Sequence, residues 1–219
     1  MAESAAMVDL DFKRKPESEM TRAAEEFLAI QKKRRSVRHF SDENIPLAVI
    51  RTCIETAAQA PSGANKQPWS FVLVTDTALK KKIRIGAEKE EREFYESRAS
   101  ERWLNDLKPF DTNAKKECLE QAPALIVVFA QRHGKNRTDQ HYYVNESVGI
   151  ASGLLLAALH NAGLATLTYT PSPMKFLHEI LHRPENERAY LLIPVGYPIK
   201  NCTVPAIRRK KLEEYLIEI

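Results

Sequence analysis

Five cations fall within seven residues at Lys32-Lys-Arg-Arg-Ser-Val-Arg38. Guanidinium forks with a serine hydroxyl among them can make charge-assisted bonds to phosphate oxygens without a glycine loop. Two other readings share the pattern: a nucleic-acid or localisation patch, and a solvated helix end. A second constellation, His178-Glu-Ile-Leu-His182, spells HExxH, which on a helix turns two imidazoles to one face for zinc and offers the glutamate as general base. Its surroundings weaken a zinc hydrolase. Glu185 and Arg188 stand where the longer zinc-protease motif needs a glycine and a third histidine, and Pro184 stops the helix within a turn. The motif reads instead as a histidine pair on the surface of a short helix. His39, His133, His141 and His160 have no ligand spacing, so no metal is expected.

Glycine narrows the choice of nucleotide site. Seven glycines in 219 residues is under half the usual ~7%, and they spell neither GxGxxG nor GxxxxGK[ST]. A bound nucleotide would have to be held by side chains. The net charge of +4, from 33 Lys and Arg against 29 Asp and Glu, is too mild to indicate a nucleic-acid partner. Cys53, Cys118 and Cys202 are widely spaced, with no CxxC, and are expected to be reduced packing residues. No apolar run approaches the ~20 residues of a membrane span, and the polar start lacks a signal peptide's apolar region, so a soluble, cytoplasmic protein with no membrane partner is expected.

The elements that must position these groups alternate. Residues 1–18 lack periodicity and read as an extended arm ahead of one domain over 19–219. From Met20, the spacing of Ala23, Ala24, Phe27 and Leu28 predicts an amphipathic helix running into the basic cluster. A second helix carries Leu47, Ile50, Ile54 and Ala57 on one face, with caps offered by Asp42 to Asn44 and Pro46 in its first turn. Trp69 to Thr75 and Leu125 to Phe129 read as buried strands, with a charged helical stretch over 78–102 between them and a short helix from Thr112 carrying Lys115, Lys116 and Leu119. The most apolar helix, Val144 to Ala162, closes at Gly163 and is apolar on more than one side, which suggests a subunit interface. A threonine-rich strand over 166–170, a helix after Ser172-Pro173 and a strand over Tyr190 to Val195 complete an α+β pattern of helices covering a sheet.

Arg34-Arg-Ser-Val-Arg38, Pro61-Ser-Gly-Ala-Asn65, Gln67-Pro-Trp69 and the helix end Leu159-His-Asn-Ala-Gly-Leu164 together resemble the FMN-dependent nitroreductase superfamily. Glu90-Glu91 through Tyr95, Arg102-Trp103, Asp106-Leu-Lys108, Lys116, His141-Tyr-Tyr, Pro194-Val-Gly-Tyr-Pro198 and Thr203-Val-Pro205 are similar to its iodotyrosine deiodinase branch. The likeness is collinear over roughly residues 25 to 219. It implies a nitroreductase-like α+β fold, with a central mixed sheet flanked by helices, in an intertwined homodimer whose flavin sites draw on both subunits. It implies an FMN-dependent reductive dehalogenase releasing iodide or another halide from mono- and diiodotyrosine, with NAD(P)H (NADP-linked) or a reductase as electron source. Vertebrate members carry a membrane anchor, so a soluble bacterial form is implied. A nitroreductase or NAD(P)H-flavin oxidoreductase of the same superfamily is the alternative.

Carried over by position, the resemblance places Arg34, Arg35, Ser36, Val37, Arg38 and Arg209 about the FMN phosphate and ribityl chain. Pro61, Ser62, Tyr169 and Thr170 fall against the flavin, and Thr168 supplies the catalytic hydroxyl at N5. Tyr169 departs from the threonine of the vertebrate pattern, but alternate residues of an extended chain face opposite ways, so the change need not reach the flavin. For the substrate, the main-chain N–H of Ala64 is implied at the phenolate. Glu91 and Tyr95, four apart on a helix, share a face. With Lys116 they offer a carboxylate, a phenol and an ammonium to a zwitterionic amino acid. Without the resemblance, Glu91 is one solvated acid among many on a charged helix. With it, residues 86–118 become a lid that orders on substrate.

Overall fold

The computed structural model describes residues 6–219; of the arm expected at the N-terminus, residues 1–5 lie outside the described residues. The chain separates into two compact units, one ending at Lys33 and one running from Arg34 to Ile219. In the first, residues 6–16 have no regular structure and α1 (Glu17–Lys33) follows, with Glu17 and Glu19 in its first turn and Lys32 and Lys33 in its last, the order that complements a helix dipole.

The second unit is built on a four-stranded sheet of β1 (Trp69–Val74), β2 (Ala124–Gln131), β3 (Ala165–Thr166) and β4 (Glu187–Gly196) in the order β1-β2-β4-β3. All three ladders are antiparallel. The mixed character expected of the sheet rests on a single parallel bridge, Ser36 to Thr166, where the basic segment runs beside β3. β2 is buried along both faces, as its unbroken apolar run requires. Leu125, Val127 and Phe129 enter one core, shared with Ile83 and Ala87 of α3 (Thr77–Glu93), Leu119 of α5 (Cys118–Gln121) and Leu177 of α7 (Lys175–Ile180). Ile126 and Val128 enter the other, with Ile50 and Ala57 of α2 (Leu47–Ala57) and Val148, Leu155 and Leu159 of α6 (Val144–Asn161). The result is three layers, helix on sheet on helix. In β4 a bulge opposite Val128 and Phe129 leaves Tyr190 unpaired; the extra residue shifts the alternation so that Ala189 and Leu192, three apart, face the same core.

Several boundaries differ from the pattern reading. Asp42 to Asn44 do not cap α2: Ile45 is drawn into the core, the chain stays extended past it, and the helix starts only after Pro46, which takes the N-cap position. The helical stretch expected over 78–102 divides. Asp76 caps α3 by accepting from the Leu79 N–H at 2.7 Å, a π-type turn follows over Phe94–Arg98, and Ser100 caps a separate α4 (Glu101–Leu107). No helix forms at Lys115 and Lys116. The Asn113 side chain accepts from the Lys115 N–H at 2.9 Å, closing a local turn that competes with helical bonding, and α5 begins only at Cys118. The threonine-rich strand is interrupted too. Leu167 donates to the Pro194 carbonyl, but proline has no N–H to return, so regular pairing stops and resumes at Tyr169 opposite Leu192.

α6 ends as its sequence predicts. Gly163 takes φ +82°, its N–H reaches the His160 carbonyl at 3.0 Å, and the Leu164 N–H reaches Leu159 at 2.9 Å, the paired bonds of a Schellman motif. A Cβ at Gly163 would meet no neighbour, so only backbone strain opposes substitution. Gly163→Ala is therefore expected to cost about 1 kcal/mol and to lower Tm by roughly 2–4 °C; an unchanged melting curve would show that the turn relaxes. Cys53 and Cys118 are buried, Cys202 is partly exposed, and all three are free thiols. No helix among the described residues is long and apolar enough to cross a membrane.

Candidate active site

A cavity of about 540 Å³ opens on the α3 side of the sheet. Its floor comes from Arg38 and the segment Leu167 to Ser172, and its walls from the end of α3, the turn after it, and residues 111–118. Leu167 is buried and Tyr169 packs on the core, whereas Thr168 and Thr170 are exposed, as alternation along an extended segment demands.

On the wall, Glu91 Oε2 lies 3.0 Å from Lys116 Nζ, with the two side chains only 13% and 12% exposed. Lys116 is placed from several sides. Its N–H donates to Glu88 Oε1 at 2.9 Å, its ammonium donates to the Asn113 carbonyl, and it sits 5.9 Å from the ring centre of Tyr95 and 5.4 Å from that of Tyr169. The Tyr95 hydroxyl donates to Thr112 Oγ1 at 2.9 Å. Phe94 meets the Tyr95 and Trp103 rings edge-on, at 5.3 and 4.9 Å, making an aromatic rim. The structure thus brings Glu91, Tyr95 and Lys116 together, with Lys116 supplied by an irregular segment instead of a helix. An opposite-charge pair on a largely buried wall can exchange one internal partnership for two with a zwitterion, an ammonium at the carboxylate and a carboxylate at the ammonium.

Below, the basic segment forms a second feature. Val37 is buried and its N–H donates to the Thr166 carbonyl at 3.0 Å, which fixes the half-buried Arg34, Arg35, Ser36 and Arg38 at the sheet edge. The C-terminal segment folds over them: Arg35 donates to the Pro205 carbonyl, and Arg209 donates to the Arg34 carbonyl at 2.6 Å. Burial, then the neighbouring charges of Arg209 and Arg35, lower the Arg34 pKa. None of the ion pairs among the described residues involves Arg34, Arg35 or Arg38. The guanidinium groups of Arg34, Arg35 and Arg38, close together and in no ion pair among the described residues, fit an anion such as a phosphate.

Pro61, Ser62 and Ala64 do not line this cavity. They lie on a turn over residues 61–67 in which Ala64, Asn65 and Gln67 all take positive φ, near +50°, and Ser62 Oγ accepts from the Gln67 N–H at 2.9 Å. Non-glycine residues held there store strain, a common mark of ligand-contacting loops. Gly63 permits close packing, since a Cβ would come within 2.9 Å of the Tyr142 carbonyl.

HExxH does not form one helical face. α7 ends at Ile180, His182 takes φ 48°, and His178 Nε2 lies 3.0 Å from the Pro184 carbonyl. No group of three or more His, Cys, Asp or Glu among the described residues is placed to hold a metal ion. Pattern reading missed Glu88 and Thr112, which hold Lys116 and Tyr95. Glu88 could have been found from its place three residues before Glu91 on the same helix face. Thr112 had no signal.

Residues 32–197 match the model of the nitroreductase family. The chain is 54% identical over 200 residues to the iodotyrosine deiodinase of Haliscomenobacter hydrossis, covering 89% of each. It is 47% identical over 210 residues to iodotyrosine deiodinase 1 of Homo sapiens, covering 93% of this chain and 72% of the human one. A crystal structure of oxidized iodotyrosine deiodinase bound to FMN and 3-iodo-L-tyrosine superimposes with a TM-score of 0.75 at 32% identity, covering 88% of this chain and 100% of that one. With the fold, the paired charges on the cavity wall and the arginine cluster beneath it, these likenesses establish that the chain belongs to the nitroreductase family, in its iodotyrosine deiodinase branch.

Proposed function

We propose that this protein is an FMN-dependent reductive dehalogenase that removes iodide from mono- and diiodotyrosine. The observation that carries the reading is the Glu91–Lys116 pair, two opposite charges 3.0 Å apart on a largely buried cavity wall, a recognition site for an amino acid zwitterion. Relatives of 45–54% identity bearing the iodotyrosine deiodinase name support it.

Arg34, Arg35, Ser36 and Arg38, with Arg209 from the tail, would hold the FMN phosphate and ribityl chain; the crowded guanidinium groups fit that group. Val37, Tyr169 and Thr170 line its surroundings, and the exposed hydroxyl of Thr168 is assigned to flavin N5. Bound FMN supplies the two reducing electrons. The carbon–iodine bond is replaced by carbon–hydrogen at the cost of those electrons and one proton, and iodide leaves. The chain's own part is to bind and orient: Glu91 takes the ammonium, Lys116 the carboxylate, and Tyr95 closes the wall, with residues 86–118 as the lid. The N–H of Ala64 donates to the phenolate. Ala64, Pro61 and Ser62 lie off this cavity, so we assign them to the site of a second copy in a homodimer. Ile150 and Leu154, apolar and exposed one turn apart on α6, offer a face for that copy. NAD(P)H or a reductase in the cytoplasm would supply the electrons.

The purified protein is expected to be yellow with FMN and, after chemical reduction, to release iodide from 3-iodotyrosine. Reduction of a nitroarene without any iodide release would make it a nitroreductase or flavin reductase and overturn the proposal.

A further inference from the structure

Tyr169 ties the amino acid clamp to the central sheet. Its N–H donates to the Leu192 carbonyl at 3.0 Å and its carbonyl accepts from the Leu192 N–H at 2.9 Å, and Leu192 is fully buried in β4. From that anchor the phenol crosses the cavity floor and donates to Glu91 Oε1 at 2.9 Å. Burial, then the Glu91 charge, push the phenol pKa up, so it remains a donor throughout the working pH range. The other oxygen of Glu91, Oε2, faces Lys116.

The two ends of this pair differ in how they are held. Glu91 sits on α3, a 17-residue helix whose Ile83 and Ala87 are fully buried, and is gripped by Tyr169 from the sheet. Lys116 sits on an irregular segment ahead of α5, its backbone N–H bound by Glu88, and its long side chain reaches Glu91 past the Asn113 carbonyl and the Tyr95 and Tyr169 rings, contacts that a flexible stem can exchange. We propose that Tyr169 is a positioning residue that makes Glu91 the fixed jaw and Lys116 the moving jaw of the clamp. An incoming ammonium takes Oε2, the oxygen that Tyr169 does not occupy, while the Lys116 side chain swings to the substrate carboxylate. This rests on the zwitterion reading of the cavity and adds a specificity for the α-ammonium over ligands that lack it.

The test compares holoenzyme of the wild type, Tyr169→Phe and Tyr169→Thr. Calorimetry gives Kd for L-tyrosine and for its deaminated analogue, 3-(4-hydroxyphenyl)propionate, and turnover gives KM and kcat for 3-iodotyrosine. Tyr169→Phe is expected to raise Kd for tyrosine and KM for iodotyrosine by about 3- to 10-fold, an effect larger than any on kcat, to weaken the deaminated analogue much less, and to be matched by Tyr169→Thr. Equal losses for both ligands, no loss in Tyr169→Phe, or a loss in the threonine variant alone would overturn the proposal, because ring packing rather than the hydroxyl would then be responsible. A wild type that releases no iodide yet discriminates the two ligands through Tyr169 would overturn the deiodinase reading and leave this one standing. A wild type that binds neither ligand overturns both.

Discussion

Lys116→Ala is expected to raise KM for 3-iodotyrosine by roughly 10- to 150-fold, the equivalent of one charge-assisted bond of about 1.5–3 kcal/mol. Lys116 is the cation on the cavity wall that pairs with Glu91, and among the described residues no other cation forms an ion pair with that carboxylate. Its loss removes the partner of the substrate carboxylate and leaves Glu91 with the Tyr169 hydroxyl alone. The bond holds the amino acid end of the substrate, remote from the reacting ring carbon, and is made equally in ground and transition states. The loss should therefore appear in KM with kcat within about twofold. A substrate lacking the carboxylate isolates the effect. With 3-iodotyrosinamide, the wild type should already show the weakened KM and Lys116→Ala should add little to it. If the variant weakens the amide as much as the free amino acid, Lys116 acts on the shape of the wall and the zwitterion clamp is wrong.

Features set by local periodicity were legible in the sequence, and features set by contacts distant in sequence were not. The alternation of Leu125, Val127 and Phe129 with Ile126 and Val128 described a strand buried on both faces, and it joins two cores. Asn161-Ala-Gly163 announced a Schellman end that the bonds to His160 and Leu159 complete. By contrast, Pro194 interrupts a strand 27 residues before it by failing to donate to Leu167, an effect invisible until the two segments are paired. The Asn113 turn that keeps Lys116 out of a helix was locally readable, since asparagine side chains compete with helical bonding, but the apolar spacing to Leu119 spoke for a helix. In the site, Arg34 to Arg38 stood out by charge and lie together because they are contiguous. Tyr169 looked like a change of no consequence to the flavin; its partner Glu91 is 78 residues away, and only the fold puts phenol and carboxylate 2.9 Å apart.

Arg183→Ala is expected to give the largest loss of stability. Glu187 at the start of β4 has a side chain only 2% exposed, and Arg183 meets it with two bonds, Nε to Oε2 at 2.7 Å and a terminal nitrogen to Oε1 at 3.0 Å. Ser70 of β1 donates to Oε1 at 2.6 Å, and Gln131 of β2 donates to the Ser70 hydroxyl at 2.9 Å, so the carboxylate joins three strands. Burial alone pushes the Glu187 carboxyl up, but the bonds from Arg183, Ser70 and Gln131 outweigh it and hold the pKa below its ordinary value. Removing the guanidinium strands a buried charge, which costs about 3–5 kcal/mol, and a domain of this size should lose roughly 6–20 °C in Tm. The pH dependence carries the sign. In the wild type the depressed carboxyl stabilises fully above its unfolded pKa of about 4.3 and loses that contribution as pH falls through the folded value. In Arg183→Ala burial dominates, the folded pKa rises above the unfolded one, and protonation relieves the penalty. The gap in Tm between the two proteins should therefore narrow as pH is lowered from 7 toward 4. Adding Glu187→Gln to Arg183→Ala should recover much of the loss at pH 7, since a neutral amide needs no counter-charge. A gap that stays constant with pH, or a double variant no more stable than Arg183→Ala, would place the loss in the packing of Arg183 over the Phe129 ring, 5.8 Å from its guanidinium, instead of in the buried charge.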